Sequence, residues 1–488
     1  MKRYYYLLLL LFLQINIFNA FNLNAQDTTD NSKVFKAGAA TSNITPHLGD
    51  FIIGNFGTPE ATYIHDEIHA RSLALDNGEN RLIFIIVELL GLNQNLIDDV
   101  KKNIEEKTNV SPNNILISAV HNHSATSAQS SQDIRDTWRA FSEPYDDYQK
   151  FVIKRLTDVA IIALENLEPA KIGWGVGNVP EHVFVRRWIM KEPVINPFGE
   201  LDKVVMNPGR NREKIKPASE PDPEVSFISV KAKDGRPIAL LANYSLHYVG
   251  GVPNNHISGD YFAAFADRIQ ELLLADRQHP PFVGILSNGT SGNVNNINFA
   301  IPAVKVEPYS RIKIVSNDLA QEVFRVEKNI EYHDWVSLDA KCEKLKLKVR
   351  KPDEKTLLRA KEILNRPDTV KPLHSLEKAY AERSFRIMEW PDYIDIPLQA
   401  FKIGDLGVSG VPFEVFSETG MEIKEKSPFK KTFTIELANG YYGYLPTPEQ
   451  HELGGYETWY NTNKVEKQAS VKIVAKLMNL FHELRVKE

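Results

Sequence analysis

The chain has 488 residues, 43% hydrophobic and 25% charged, with a formal net charge of −5 at pH 7. That balance describes a globular protein able to bury one large core or two smaller ones, and it excludes the basic footprint of a nucleic-acid binder. The single cysteine, Cys342, excludes an intramolecular disulfide framework and a cysteine-rich zinc site, so stability has to come from apolar packing.

Residues 1–25 predict a secretory signal, with Lys2 and Arg3 as a basic start, Leu7 to Leu13 as an apolar core, and Ala20 or Ala25 as the small residue for cleavage. The apolar run is too short for a membrane span, and no cysteine stands near its end to take a lipid. A soluble exported protein, periplasmic or secreted, with no stable membrane span after cleavage, is therefore expected. A polar lead-in (26–34) precedes a domain expected to occupy 35–488.

Within that domain, Arg81 to Val87 (RLIFIIV) predicts a buried strand. Asn95 to Lys107 places Leu96, Ile97, Val100 and Ile104 at helical spacing, and the apolar run Ile115 to Val120 predicts a second strand. Together they form a βαβ unit that ends in His121-Asn122-His123, at the carboxyl edge where open α/β sheets bind ligands. If the strand continues through them, residues i and i+2 share a face and the two imidazoles converge on one metal ion or substrate. A hydrogen-bonded surface pair satisfies the same pattern.

Tyr145 to Asn166 predicts a long amphipathic helix with Tyr148, Phe151, Val152, Leu156, Val159, Ala160 and Ala163 on its apolar side. Strands follow at Lys171 to Val176 and Val183 to Trp188, then a proline-rich loop at Glu192 to Pro223. Val225 to Lys231 and Ile238 to Leu246 read as paired strands, Phe262 to Ala275 as a helix and Phe282 to Leu286 as a strand. Further helices are expected at Lys305 to Val326, Asp353 to Leu364, Lys371 to Trp390 and Lys464 to Arg485. Strands are expected at Ile396 to Ile403, Leu406 to Ser409 and Phe433 to Leu437. The fold class is α/β, with mixed β-sheets layered with helices and no linker that divides it.

Several of these strands run into polar groups. His247 follows one, and a second leads into Ser287 to Asn296 (SNGTSGNVNN), whose backbone N–H groups could approach an anion or a sugar hydroxyl, or simply form a tight turn. That loop lacks the Gly-Lys-Ser/Thr ending of a phosphate-binding P-loop. Glu414 follows a third strand, and Asn439 to Tyr444 (NGYYGY) sets three tyrosines in one turn.

Taken in order, these segments resemble the neutral/alkaline, non-lysosomal ceramidase family. The resemblance starts at Ala37 to Pro46 (AGAATSNITP) and runs through His65 to Arg71 (HDEIHAR), His121 to Ser124, Val185 to Trp188 (VRRW), His247, Gly259-Asp260-Tyr261, the Gly292 loop, Glu414 and Tyr444. It implies the family's N-terminal catalytic domain, in a short exported member without the C-terminal β-sandwich domain. It further implies a zinc ion held by His121, His247, Glu414 and Tyr444, with a metal-bound water cleaving an amide. His123 lies beside the metal by the same comparison, and Tyr456 faces the scissile carbonyl. These two groups could stabilise the oxyanion or hand on a proton.

Arg186 and Arg187 could clamp an anionic group of a substrate, or serve as salt-bridge residues. Arg186 is thus grouped with the catalytic residues, while Arg187, Asn288, Thr290, Ser291 and Asn293 are candidates for substrate binding. Departures from the family are visible: His121-Asn122-His123-Ser124-Ala125-Thr126 stands for H-T-H-S-G-P, and Gly289 and Asn293 stand where a serine and an aspartate are expected. The expected partner is accordingly a small-molecule, lipid or saccharide substrate. The leading expectation is a zinc-dependent hydrolase of an N-acyl bond. A glycan-active hydrolase on a polar or acidic saccharide and an inactive carbohydrate-binding protein are the alternatives.

Overall fold

In the computed structural model the described residues are 33–54, 57–126, 145–209, 213–302 and 306–486. The expected signal segment lies outside them. Phe35–Glu488 form one unit.

The strands that organise it are β1 (Lys36–Asn43), β2 (His69–Asp76), β3 (Arg81–Val87), β4 (Ile115–Ala119), β5 (Glu168–Asn178), β6 (Arg187–Ile195), β7 (Leu201–Met206), β8 (Lys214–Pro217), β9 (Glu224–Ala232), β10 (Pro237–Tyr244) and β11 (Val283–Asn288). They are followed by β12 (Leu338–Lys348), β13 (Tyr393–Ile403), β14 (Leu406–Val411), β15 (Glu414–Val415), β16 (Lys431–Glu436) and β17 (Tyr444–Leu445). The helices are α1 (Gln94–Thr108), α2 (Asp147–Glu165), α3 (Asp260–Leu272), α4 (Ser310–Glu327), α5 (Glu354–Asn365), α6 (Glu377–Arg386), α7 (Ser417–Lys426), α8 (Pro448–Leu453) and α9 (Ala469–Val486).

An eight-stranded sheet has the order β11-β10-β9-β5-β1-β2-β3-β4, and a four-stranded sheet the order β12-β13-β14-β16. Three neighbouring pairs in these sheets are parallel: β3 with β4, β10 with β11, and β14 with β16. A parallel pair needs a crossover, and here α1, α3 and α7 supply the three. The β3–α1–β4 unit is the one the sequence predicts.

The two sheets face each other across a shared core, where Phe84 packs against Phe401 with ring centroids 4.9 Å apart. β3 shows why its sequence is apolar without alternation. Leu82, Phe84 and Ile86 enter the core between the sheets, while Ile83, Ile85 and Val87 enter the layer shared with α1 and α2. Leu96, Ile97, Val100 and Ile104 of α1 are fully buried there, each contributing about 1.5–3 kcal/mol. On the far side, α7 and α9 pack on the outer face of the four-stranded sheet through Ile423, Ile473, Leu477 and Phe481.

Four expectations are corrected. Glu192 to Pro223 is not a loop: β6, β7 and β8 form a three-stranded sheet in the order β8-β6-β7. Phe151 is 39% exposed rather than on the buried side of α2. Strand β12 has no counterpart among the predicted elements, because Lys341, Lys344, Lys346 and Lys348 interrupt its apolar pattern; it is an edge strand, where lysines block pairing with another chain. Finally, β4 ends at Ala119, so His121 and His123 stand beyond the strand.

Candidate metal centre

All three parallel pairs deliver polar residues from their carboxyl ends to one place. His121 and His123 follow β4, His247 follows β10, the Asn288–Asn293 loop follows β11, Glu414 follows β14, and Tyr441 and Tyr444 lie beyond β16. His121 has φ of 64°, a left-handed conformation that costs a non-glycine residue about 1–3 kcal/mol. This bend takes the place of the strand alternation expected for the H-x-H pair. The His121 and His123 rings still meet, edge to face, with centroids 4.7 Å apart, and the His247 ring lies 4.6 Å from that of His121. Glu414 and Tyr444 are register partners in the short parallel ribbon of β15 and β17. Gly292 permits the close approach of that ribbon, since a Cβ there would stand 2.5 Å from the Glu414 carbonyl oxygen.

His121 Nε2 is 3.2 Å from Glu414 Oε2, and His247 Nε2 is 3.8 Å from the same oxygen. Each of these groups is held from behind. His121 Nδ1 lies 3.0 Å from the Leu90 carbonyl oxygen, which selects the tautomer with a free lone pair on Nε2. His247 Nδ1 lies 3.3 Å from Ser291 Oγ, and that hydroxyl donates to Glu436 Oε1 at 2.6 Å. The Tyr441 hydroxyl donates to Glu414 Oε1 at 2.8 Å.

The inward atoms remain without partners: Glu414 Oε2, His247 Nε2 and both ring nitrogens of His123 are buried with no hydrogen bond. Leaving a buried acceptor unsatisfied costs about 1–3 kcal/mol, so several aimed at one point mark a place for an electrophilic guest. One ligand atom from each of His121, His123 and His247 lies within 4.8 Å of the others. Imidazoles, a carboxylate and a phenol are hard-to-borderline donors of the kind zinc accepts, and the residues present therefore fit a divalent metal ion.

Burial, reinforced by the charges of neighbouring groups, pushes His123 and His247 well below the ordinary histidine value, so both are neutral at pH 7. Burial raises Glu414, but His121, Tyr444 and Arg186 together outweigh it and hold the carboxyl below its usual range. Glu436 is driven the other way, first by burial and then by Glu414, against the hydrogen bonds from Ser291 and Val415. Burial also raises Tyr444 and Tyr456, which keeps both phenols protonated.

The remaining candidates divide. Tyr456 stands beside Tyr444, ring centroids 5.9 Å apart. Arg186 lies against the Tyr444 ring, 5.3 Å from its centroid, but its Nε pairs with Glu457 Oε1 at 3.0 Å and its NH2 donates to the Gly292 carbonyl. Arg187 is not placed to clamp a substrate. It is 0% exposed, and it donates to Glu457 Oε2 at 2.5 Å, to Gln450 Oε1 and to the Gly454 carbonyl.

Asn293 is likewise consumed internally: its amide nitrogen donates to Ser219 and Glu418, and its oxygen accepts from the Ser417 N–H. Ser291 serves His247 from behind. Asn288 donates to the Val120 carbonyl beside His121, and its Oδ1 is without a partner, as is the Thr290 hydroxyl. A side chain at Gly289 would meet Ser245 Oγ at 2.5 Å, so no serine fits there without repacking. The sequence does not single out Tyr441, Glu436, Glu457 or Tyr248, which stacks on His123 at 3.9 Å. Of these only Tyr441 carries a local signal, its place in the tyrosine-rich turn.

A family model described as neutral/alkaline non-lysosomal ceramidase, N-terminal, matches residues 35–302. The chain belongs to this family. Among solved structures, this ceramidase-family chain is similar to one titled as a ceramidase complexed with C2, at 15% identity and a TM-score of 0.69. It is also similar to the neutral ceramidase of Pseudomonas aeruginosa, at 16% identity and a TM-score of 0.66. Each match covers 93% of this chain and 75% of the other. At such identity the likeness establishes the fold, with its mixed sheets and helices. Among the described residues, no helix is long and apolar enough to cross a membrane.

Proposed function

We propose that this ceramidase-family protein is an exported, zinc-dependent hydrolase of an N-acyl amide in a lipid-type substrate. The carrying observation is the convergence of Glu414 Oε2, His247 Nε2 and His121 Nε2, each backed by a hydrogen bond on its other side. In this reading His121, His247, Glu414 and Tyr444 hold the metal. Zinc, when bound, lowers the pKa of water towards neutrality and polarises a carbonyl.

The protein's own groups do the rest. The tautomer fixed by Leu90 keeps the His121 lone pair inward, and Tyr441 leaves only one Glu414 oxygen free. Tyr456, protonated, donates a hydrogen bond to the carbonyl oxygen as it gains charge. His123, neutral and held flat against Tyr248, can take a proton from the attacking water and pass that proton to the departing nitrogen. Arg186 beside Tyr444 keeps positive charge near the phenol and orients it.

Metal analysis and turnover test the reading together. Purified full-length protein supplied with zinc is expected to retain about one ion per chain and to hydrolyse N-acyl-sphingosine, and His121→Ala is expected to lose both. Retention of much less than one ion, with no turnover gained on adding zinc, contradicts it.

A further inference from the structure

Helix α6 carries two arginines, and one of them answers to an acid. Arg386 lies 3.8 Å from Glu382, and Arg359 and Arg366, outside the helix, pair with its Glu377 at 2.6 and 2.5 Å. Arg383 is different. Among the described residues no carboxylate lies within ion-pairing distance of it. Its Cζ sits 4.7 Å above the Tyr380 ring centroid, and its guanidinium interacts with the Tyr380 and Tyr456 hydroxyls.

The Tyr380 hydroxyl is already engaged with Thr462 at 2.6 Å. From Arg383 the aromatic contacts run without a break to the metal centre: Tyr380 to Trp459 at 4.9 Å, Trp459 to Tyr456 at 5.7 Å, and Tyr456 to Tyr444 at 5.9 Å. Arg383 itself is half-buried.

A guanidinium taken largely out of water normally brings an acid with it, because its five donors and its charge are costly to strand. Arg186 and Arg187 follow that rule through Glu457. The protonated tyrosines beside Arg383 do not balance its charge. We infer that Arg383 is an anion-recognition residue of this site, and that among the amides it takes those bearing a carboxylate close to the scissile bond are preferred. A fork of N–H donors beside Tyr456 presents the planar geometry a carboxylate matches.

This inference rests on the hydrolase reading above, and the test separates the two. N-dodecanoylglycine and N-dodecanoylethanolamine share an acyl chain and an amide and differ in the carboxylate. The zinc-loaded protein is expected to favour the glycine compound in kcat/KM by about 10–100-fold, the scale of a charge-assisted hydrogen-bond pair. In Arg383→Gln that ratio is expected to fall to within about threefold of unity, and in Arg383→Lys, which keeps the charge but not the fork, to fall at least about threefold. A wild-type ratio near one, or a ratio unchanged in either variant, overturns the inference.

If neither compound is hydrolysed, turnover of N-acyl-sphingosine decides the hydrolase reading, and calorimetric binding of the same two compounds decides on Arg383. A binding preference for the carboxylate that Arg383→Gln abolishes supports it, and equal binding overturns it.

Discussion

Glu457 is the residue whose loss the structure prices most directly. Its two carboxylate oxygens are divided between Arg186 Nε at 3.0 Å and Arg187 NH1 at 2.5 Å, with Glu457 and Arg187 both 0% exposed. Glu457→Gln keeps the shape and one acceptor oxygen but leaves two interior guanidiniums without a counter-charge and turns an amide NH2 towards one of them. Removing one partner of a buried pair costs about 3–5 kcal/mol. Two arginines share this carboxylate, which argues for the upper part of that range, and the retained bonds to Gln450, Gly454 and Gly292 argue against exceeding it.

Urea unfolding followed by far-UV circular dichroism reads the change as a lower midpoint at similar slope. The surface pair Lys467–Glu452, with its side chains 50% and 74% exposed, supplies the control: Glu452→Gln should leave the midpoint where it is. A Glu457→Gln variant within about 1 kcal/mol of wild type would refute the claim that these arginines depend on Glu457.

Other consequences can be measured on the same protein. Tyr441→Phe deletes the hydrogen bond to Glu414 Oε1 and should weaken zinc binding about 10–100-fold in a chelator competition, with an unchanged affinity counting against the ligand set. Gly292→Ala drives a methyl group to 2.5 Å from the Glu414 carbonyl oxygen, displacing β15. It is expected to cost about 1–3 kcal/mol in urea and to lower zinc retention, and a fully stable, zinc-replete variant would show that the loop has room.

Asp260 accepts the N–H groups of Val249, Gly250 and Tyr261, yet burial prevails and raises its carboxyl to about 6. Since the folded value lies above the unfolded one of about 3.9, the folded state binds the extra proton and stability falls as pH rises from about 4 to 6. The two-unit difference corresponds to ~3 kcal/mol. Asp260→Asn should remove that slope from unfolding free energies measured between pH 4 and 7, and parallel pH profiles for the two proteins would contradict the assignment.

Much of the scaffold is written locally. The RLIFIIV run, the 3.6-residue spacing of Leu96 to Ile104 and the run from Ile115 identify β3, α1 and β4 because burial on both faces of a strand and on one face of a helix leaves distinct patterns. The order of motifs from Ala37 to Tyr444 points to the family, which the match over 35–302 establishes. Where the pattern is weak the reading is weak. β12 escapes notice because an edge strand is free to carry lysines, and β6 to β8 hide among prolines because small outlying sheets need few buried residues.

The sequence by itself determined which residue types stand at the ends of which strands: His121 and His123, His247, Glu414, and the tyrosines from Tyr441 to Tyr444. Only the tertiary structure decided how they share the work. It bends the chain at His121 to turn the ring that strand alternation was expected to aim, and it places Tyr441 and Ser291 behind Glu414 and His247. It also neutralises Arg186 and Arg187 through a glutamate some 270 positions away, while Arg383, beside Tyr456, has no acid within ion-pairing distance among the described residues. Apolar periodicity is a property of neighbours in the chain, whereas the pairing of a buried charge depends on what folding brings beside it.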